Sequence, residues 1–280
     1  MRLFLCIWGA LVLVPLLTTV VLSFLTVKQY RLVFEPSFAT WYSLFETGRW
    51  IVVLRTLRIA LTLTALELLI AIPFAYWLAK ICQSTVVRSV IITMLTIPFF
   101  LDASSRVIVW WSLLGTNGSV NSFLLSINLI DEPIKWLLYS EFPVHLVMLA
   151  SYFPSMVFPI FMIMLLIDDD YIKASNDLGA RPLQTFFFVT IPLAMPGILA
   201  GVVFALVPMM AALIEPQMLG GGYVNLLGDS VSSAIQQLKY PTAAALSTVI
   251  VVLLMICMTL LLWASRKRLD ITTMFRAERR

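Results

Sequence analysis

Charge is what this sequence has least of. Aspartate, glutamate, lysine and arginine together make up 12% of its 280 residues, against roughly 25% in an ordinary soluble domain. It has a single histidine, His145, and three scattered cysteines, Cys6, Cys82 and Cys257. That is too few ligands for His/Cys zinc chemistry and an odd, widely spaced set for a disulfide framework. No lysine follows a glycine anywhere in the chain. The phosphate loop Gly-x-x-x-x-Gly-Lys-Ser/Thr is therefore absent, and the chain is not its own motor of that type. Nor does the net charge of +4 read as affinity for nucleic acid, because the basic residues cluster at the ends of apolar runs and in the tail, where topology signals lie.

Apolar residues are what is left: 61% of the chain, with a mean hydropathy of +0.97. Windows of about 20 apolar residues predict six membrane spans, near 3–25, 56–79, 88–112, 142–167, 187–212 and 243–264. The fold class expected is an all-α polytopic membrane protein. The first run, Leu3 to Leu25, exceeds the roughly 7–15 apolar residues of a signal-peptide core and ends in no small-x-small site, so it reads as a retained span. An inside N-terminus gives the cytoplasmic face Arg2, Lys80, Arg88, Lys173, Arg181 and the tail cluster Arg266, Lys267, Arg268, Arg276, Arg279 and Arg280. The other face receives Lys28, Arg31, Arg49, Arg55, Arg58, Lys135 and Lys239. This bias puts both termini inside. Trp41, Tyr42, Phe45 and Trp50 mark loop 26–55 as interfacial. No repeat or internal boundary is visible, so residues 1–280 read as one transmembrane domain, with core spans over 56–264 and a tail at 265–280.

A few polar residues fall inside or beside these spans. Span two carries Glu67 and Pro73. In span three Pro98 interrupts the helix ladder, and Asp102 and Arg106 lie at i and i+4, close enough to pair. Trp110 and Trp111 follow. Gly197 and Gly201 form a Gly-xxx-Gly pair suited to close helix packing. Glu215 sits at the end of span five, where a carboxylate could face a pore, with Gln217 and the flexible Gly220-Gly221-Gly222 after it. Charges at membrane depth are costly and usually face a polar cavity or a partner.

The chain's organising stretch runs from Asp168 to Gly201. Asp168, Asp169 and Asp170 suit the first turn of a helix, facing the positive end of its dipole. Tyr171, Ala174, Ser175 and Leu178 share one face of about two turns. Gly179 can take the left-handed conformation that ends a helix. Arg181 is pushed toward extended geometry by Pro182, which suits the first turn of a second helix. The segment is too polar for lipid and is tied to spans on both sides, as a docking element would be.

This segment resembles the EAA loop of ABC importer permeases, in which Glu-Ala-Ala is followed after three residues by Gly and, nine residues later, by Ile-x-Leu-Pro. Here the register gives Lys173-Ala174-Ser175, then Gly179, then Val189-Thr190-Ile191-Pro192. Lys173 stands where the family usually has Glu. Nearly the whole chain is similar to spermidine/putrescine permeases, the first of the two permease subunits in particular. The Ile97-to-Phe100 stretch with Arg106, Gly118 to Leu125, Ala174 to Ala180 and Pro216 to Gly221 carry this likeness.

The resemblance implies six transmembrane helices of the type I architecture, with loop 168–197 as a cytoplasmic coupling element. Tyr171, Lys173, Ala174, Ser175, Asp177, Leu178, Gly179, Ala180 and Pro182 would then meet the ATPase. It also implies alternating access, a second homologous permease, an ATPase dimer carrying ATP and Mg, and a periplasmic binding protein. The location would be a bacterial inner membrane. No catalytic or metal residue and no cofactor is expected on this chain, and no nucleic acid as partner. A polyamine needs carboxylates and aromatic faces, which Asp102, Glu215, Trp110 and Trp111 could supply, with Arg106 and Gln217 beside them. In the family an acidic residue often follows the proline at 216, where this chain has Gln217. Opines, aminobutyrate, phosphonates and ferric iron are the alternative cargoes. A secondary transporter and a non-transporting scaffold are the alternative classes.

Overall fold

Lipid leaves a chain few ways to satisfy its backbone, and this one uses helices almost throughout. The structure, a computed structural model, describes residues 2–28, 31–33 and 35–266. The tail residues Lys267, Arg268, Arg276, Arg279 and Arg280 lie outside the described residues.

The chain opens with α1 (Arg2–Leu22) and a short antiparallel pair, β1 (Thr26–Lys28) and β2 (Arg31–Val33), with Thr26 opposite Val33. Next come α2 (Ala39–Glu46) and α3 (Arg49–Tyr76), the latter prolonged by a π-helical turn over Trp77–Ile81. The chain continues through α4 (Thr85–Phe100), α5 (Ala103–Leu114) and α6 (Ser119–Ser126) to α7 (Glu141–Leu166). Two short helices follow, α8 (Asp169–Asp177) and α9 (Pro182–Thr185). A second π-helical turn, Phe186–Thr190, leads into α10 (Ile191–Met210). The last elements are α11 (Ile214–Leu219), α12 (Leu227–Gln236) and α13 (Tyr240–Arg266).

Among the described residues, four continuous helical stretches are long and apolar enough to cross a membrane: Arg49–Ile81, Glu141–Leu166, Pro182–Met210 and Tyr240–Trp263. At 21 residues, α1 reaches about 31 Å, enough for a hydrocarbon core of about 30 Å. Its exposed side chains from Ile7 to Val21 are largely apolar. The chain is thus an all-α polytopic membrane protein. Prolines inside α3, α7 and α10 (Pro73, Pro154, Pro159, Pro196, Pro208) fit that setting, where neighbouring groups meet the backbone atoms that proline leaves free.

One expected span is not a single helix. The run 88–112 breaks after Phe100, and α4 and the helical stretch that follows it diverge by 106°. Leu101 is extended (ψ 131°), three residues after Pro98. The Asp102 carboxylate accepts a 2.9 Å hydrogen bond from the Ser104 N–H and so starts a new helix. At 16 residues, α4 reaches about 24 Å, short of a full crossing.

The chain packs as two compact units, each gathered from separated stretches. One comprises Met1–Ile59, Trp111–Val144 and Met210–Met255; the other comprises Ala60–Trp110, His145–Met209 and Ile256–Arg280. No linker joins them, so composition along the chain could not show a boundary.

In the first unit Leu44, Leu227, Ala245 and Leu246 form a buried cluster under Trp41, Val52, Val53 and Ile250. Thr56 ties α3 to the start of α12: its Oγ1 donates to the Val52 carbonyl and accepts from the Leu227 N–H at 2.9 Å. Gly221 lies at φ +54°, and a Cβ there would stand 2.6 Å from the Tyr139 ring. The Tyr139 N–H in turn donates to the Leu219 carbonyl at 2.8 Å.

The second unit packs α7 against α10 with almost no side chain between the backbones. A Cβ on Gly197 would lie 2.6 Å from the Pro159 carbonyl oxygen, and one on Gly201 would lie 2.7 Å from that of Met156. The Gly-xxx-Gly pair therefore does what its spacing suggests. In lipid, where burial supplies little drive between helices, such close approach is a main source of helix association. In the same unit Glu67 is fully buried, and neither of its carboxylate oxygens finds a hydrogen-bond partner.

Gly201→Val is expected to force α10 off α7 and destabilise the protein by about 1–3 kcal/mol. A lowered midpoint in detergent thermal unfolding checks this, and an unchanged midpoint would refute the close packing.

Candidate functional site

The polar stretch between α7 and α10 folds as a two-helix hairpin, built as its sequence suggests. Asp168 is the N-cap of α8, and its carboxylate accepts from the Asp170 N–H at 3.0 Å. The helix ends in a glycine-terminated motif. The Gly179 N–H donates to the Asn176 carbonyl at 2.8 Å and the Ala180 N–H to the Ser175 carbonyl at 3.1 Å, with Gly179 at φ +81°. Arg181 is extended (φ −71°, ψ 152°) and Pro182 opens α9. Its first turn is closed by the Gln184 side chain, which accepts from the Arg181 N–H at 2.8 Å.

Side chains then lock the two helices together. The Ser175 and Thr185 hydroxyls share a 3.0 Å hydrogen bond, and Thr185 is buried. Ser175 therefore stabilises the hairpin from within. Tyr171, Ala174 and Leu178 are exposed on α8, as is Leu183 on α9; Leu178 is 89% exposed. Lys173, Asp177 and Gly179 are exposed as well. The Lys173 ammonium meets Asp170 at 2.8 Å, and that hydrogen bond, with the neighbouring acids, holds its pKa above the usual lysine value.

Lys80 anchors the hairpin. It lies in the π-helical turn that ends α3 and is mostly buried, its side chain 10% exposed. Its ammonium donates to the Ile167 carbonyl at 2.6 Å and to the Asp169 carboxylate at 2.5 Å. The Lys80 hydrogen bond is the main cause of the lowered Asp169 pKa. The tie is thus complete above the ordinary aspartate range and fades as pH falls through the lower folded value. The sequence showed Lys80 only as a topology signal, since its partners lie 87 and 89 positions away. Nearby, the rings of Tyr76 and Phe186 meet edge to face at 4.9 Å, joining the end of α3 to the π-helical turn before α10.

The residues expected along a transport path divide between the two units. In the second unit, Asp102 is exposed at the break between α4 and α5. It does not pair with Arg106, because its carboxylate is committed to capping α5. Arg106 turns instead to α7, where it donates to the Ser151 carbonyl at 3.2 Å. Its Nε is buried without a partner. Trp110 is half-buried.

In the first unit, Trp111 is exposed and its indole N–H approaches the Tyr139 hydroxyl at 3.4 Å. Glu215 is 2% exposed. The chain after α10 forms the short helix α11 rather than an open loop, and Glu215, Pro216 and Leu219 in it are buried. Gln217, two residues on, is exposed. The sequence also gave no sign of the Arg58–Glu141 ion pair at 3.1 Å, which ties the start of α7 to α3.

These features define an all-α polytopic membrane protein with a capped, outward-facing hairpin between two of its spans. Residues 68–270 match the family described as binding-protein-dependent transport system inner membrane component, and the chain belongs to that family. It is a permease component of the type I ABC importer class, a family whose members are transport subunits. The spermidine/putrescine transport system permease protein PotB of Escherichia coli (strain K12) is 30% identical over 219 residues, 78% of each chain. The protein of the same name from Haemophilus influenzae is 29% identical over 258 residues, covering 87% of this chain and 85% of the other. A crystal structure of a bacterial alginate ABC transporter, in complex with alginate pentasaccharide-bound periplasmic protein, matches in fold. Its TM-score is 0.73 at 18% identity, covering 96% of this chain and 94% of that one.

Lys80→Met removes the anchor while keeping an apolar stem. Amide exchange over residues 167–172 in the purified protein is expected to rise about tenfold, the weight of a lost charge-assisted hydrogen bond. Unchanged exchange would show that the anchor holds nothing.

Proposed function

We propose that this chain is a polyamine permease, passing spermidine or putrescine from a periplasmic binding protein into the cytoplasm by alternating access. The observation that carries this reading is the likeness to PotB permeases over most of both chains. The hairpin of α8 and α9 supports the coupling half of it: a short, rigidly capped element with Tyr171, Leu178 and Leu183 turned outward fits a groove on an ATPase. In this reading ATP and Mg act on the ATPase dimer and this chain binds neither. A second homologous permease completes the pathway. The hairpin and both termini face the cytoplasm of a bacterium, with the protein in its inner membrane.

The cargo chemistry draws on Asp102 in the second unit and, independently, on Trp111 in the first. An exposed carboxylate suits an ammonium group, and an indole face suits the charged end of a polyamine stem. Arg106, held by Ser151, would set the geometry beside Asp102. Trp110, Glu215 and Gln217 complete the proposed path, and Glu215 would join it only where α11 unpacks. The alternative cargoes are an opine, aminobutyrate, a phosphonate or ferric iron.

The class and the cargo are tested together by ATPase activity of the reconstituted complex with its binding protein. Stimulation is expected with spermidine or putrescine and not with aminobutyrate or an opine. Stimulation by another cargo alone would keep the importer and overturn the polyamine.

Asp102→Asn tests the site itself, because asparagine preserves the cap of α5 and removes only the charge. Polyamine uptake at low concentration is expected to fall about tenfold, while unchanged uptake would take Asp102 out of the path. Gly179→Asp tests coupling. A Cβ at Gly179 meets nothing within 4 Å, so the cost falls on the left-handed backbone and on the docking face. Loss of uptake with the protein still in the membrane is expected, and normal uptake would remove the hairpin from coupling.

A further inference from the structure

Two cavities in the first unit meet at one arginine, and they differ in character. The first is an apolar groove of about 240 Å³ walled by α2, α3 and α13, with Trp41, Phe45, Trp50, Val53 and Leu246 among its lining. The second, of about 370 Å³, has both polar and apolar walls and lies beside the ends of the same helices. It is lined by Ser43, Thr47, Arg49, Lys239 and Thr242, among others. Arg49 lines both.

Among the described residues no carboxylate lines either cavity. Among the described residues neither Arg49 nor Lys239 forms an ion pair, and Lys239 donates only to the neutral Gln237 side chain at 2.9 Å. The second cavity also lies where two long helices begin, α3 at Arg49 and α13 at Tyr240. Helix starts carry partial positive charge, so cations and dipoles there favour one sign of ligand. The Trp41 indole N–H in the adjoining groove is buried and has no partner.

We infer that the two cavities form one site for an anionic phospholipid, with its phosphate against Arg49 and Lys239 and an acyl chain along the groove of Trp41, Phe45 and Trp50. A free anion would account for the cations and leave the groove without purpose. An apolar helix of another protein would fill the groove and leave two cations facing no counter-charge. A lipid satisfies both at once, and tryptophans at the junction suit the boundary between headgroup and hydrocarbon. All residues that line the two cavities belong to the first unit, and none of them is in the hairpin or in the proposed cargo path.

The test is native mass spectrometry of the purified, delipidated importer complex, titrated with phosphatidylglycerol, with phosphatidylcholine of the same acyl chains, and with inorganic phosphate. Phosphatidylglycerol is expected to bind in preference to phosphatidylcholine. Arg49→Gln and Lys239→Gln should each weaken it about fivefold, the usual weight of one basic side chain near an anionic headgroup, and Arg49→Lys should retain it. If a variant fails to assemble by size exclusion, the lipid preference of the unaltered complex and the Arg49→Lys result decide. Equal binding of the two lipids, or undiminished binding in the glutamine variants, would overturn the site. Displacement of lipid by millimolar phosphate would reduce it to a free-anion site and overturn the lipid. Efficient cross-linking of Val249→Cys to the second permease would put a protein helix in the groove and do the same.

Discussion

A chain that lives in hydrocarbon must meet its own backbone hydrogen bonds, since no water is there to do so. That constraint explains where the few charged and polar side chains of this protein go. At several places, some of them just past the ends of helices, one of them meets a backbone group. Lys80 and Arg88 donate to the Ile167 and Cys82 carbonyls, just past the ends of helical stretches. Arg106 donates to the Ser151 carbonyl in α7, three residues before a proline. Arg55 donates to the Tyr223 carbonyl in the glycine-rich turn, and Asn121 meets the Gly115 and Ile134 carbonyls together with the Ile134 N–H. Several of the scarce charges thus act as backbone caps. A side chain so used is fixed in direction, and this makes it available for a second task.

The hairpin between α7 and α10 shows how that second task arises. Its own caps make it rigid, the Ser175–Thr185 bond binds its two helices, and Lys80 fixes it to the end of α3. Lys80 thus joins the hairpin to the end of α3, and the chain itself joins it to α10. The π-helical turns at both junctions place Tyr76 against Phe186. Rigidity of this kind is what a lever between an external motor and a membrane path requires.

Much of this was legible in the sequence, for reasons that differ by element. The hairpin was readable because capping is local: Asp168, Gly179 and Pro182 each act within a few residues, and all three stand as expected. The packing of Gly197 and Gly201 was readable because the spacing alone puts both on one face. Long-range partners were not. The anchor at Lys80 and the turn of Arg106 toward Ser151 depend on which helices become neighbours. The break after Phe100 was half legible. Pro98 signalled a disturbance, but only the extended Leu101 and the capping by Asp102 turn it into a bend of 106°. The same capping undid the expected Asp102–Arg106 pair. The burial of Glu215 was not legible for a similar reason, because it depends on the packing of α11, which the sequence does not display.

Each compact unit is gathered from stretches that lie far apart in the chain, and this bears on how the protein comes into being. The first unit needs residues near the N-terminus, near the middle and beyond Tyr240 before its buried cluster can close. During synthesis the early helices therefore wait in the bilayer without their final neighbours, and long-range closure of this kind is slow. Helices in that interval are held by insertion alone. A chain that ends before α13 lacks Ala245 and Leu246 and therefore cannot complete the buried cluster of its first unit.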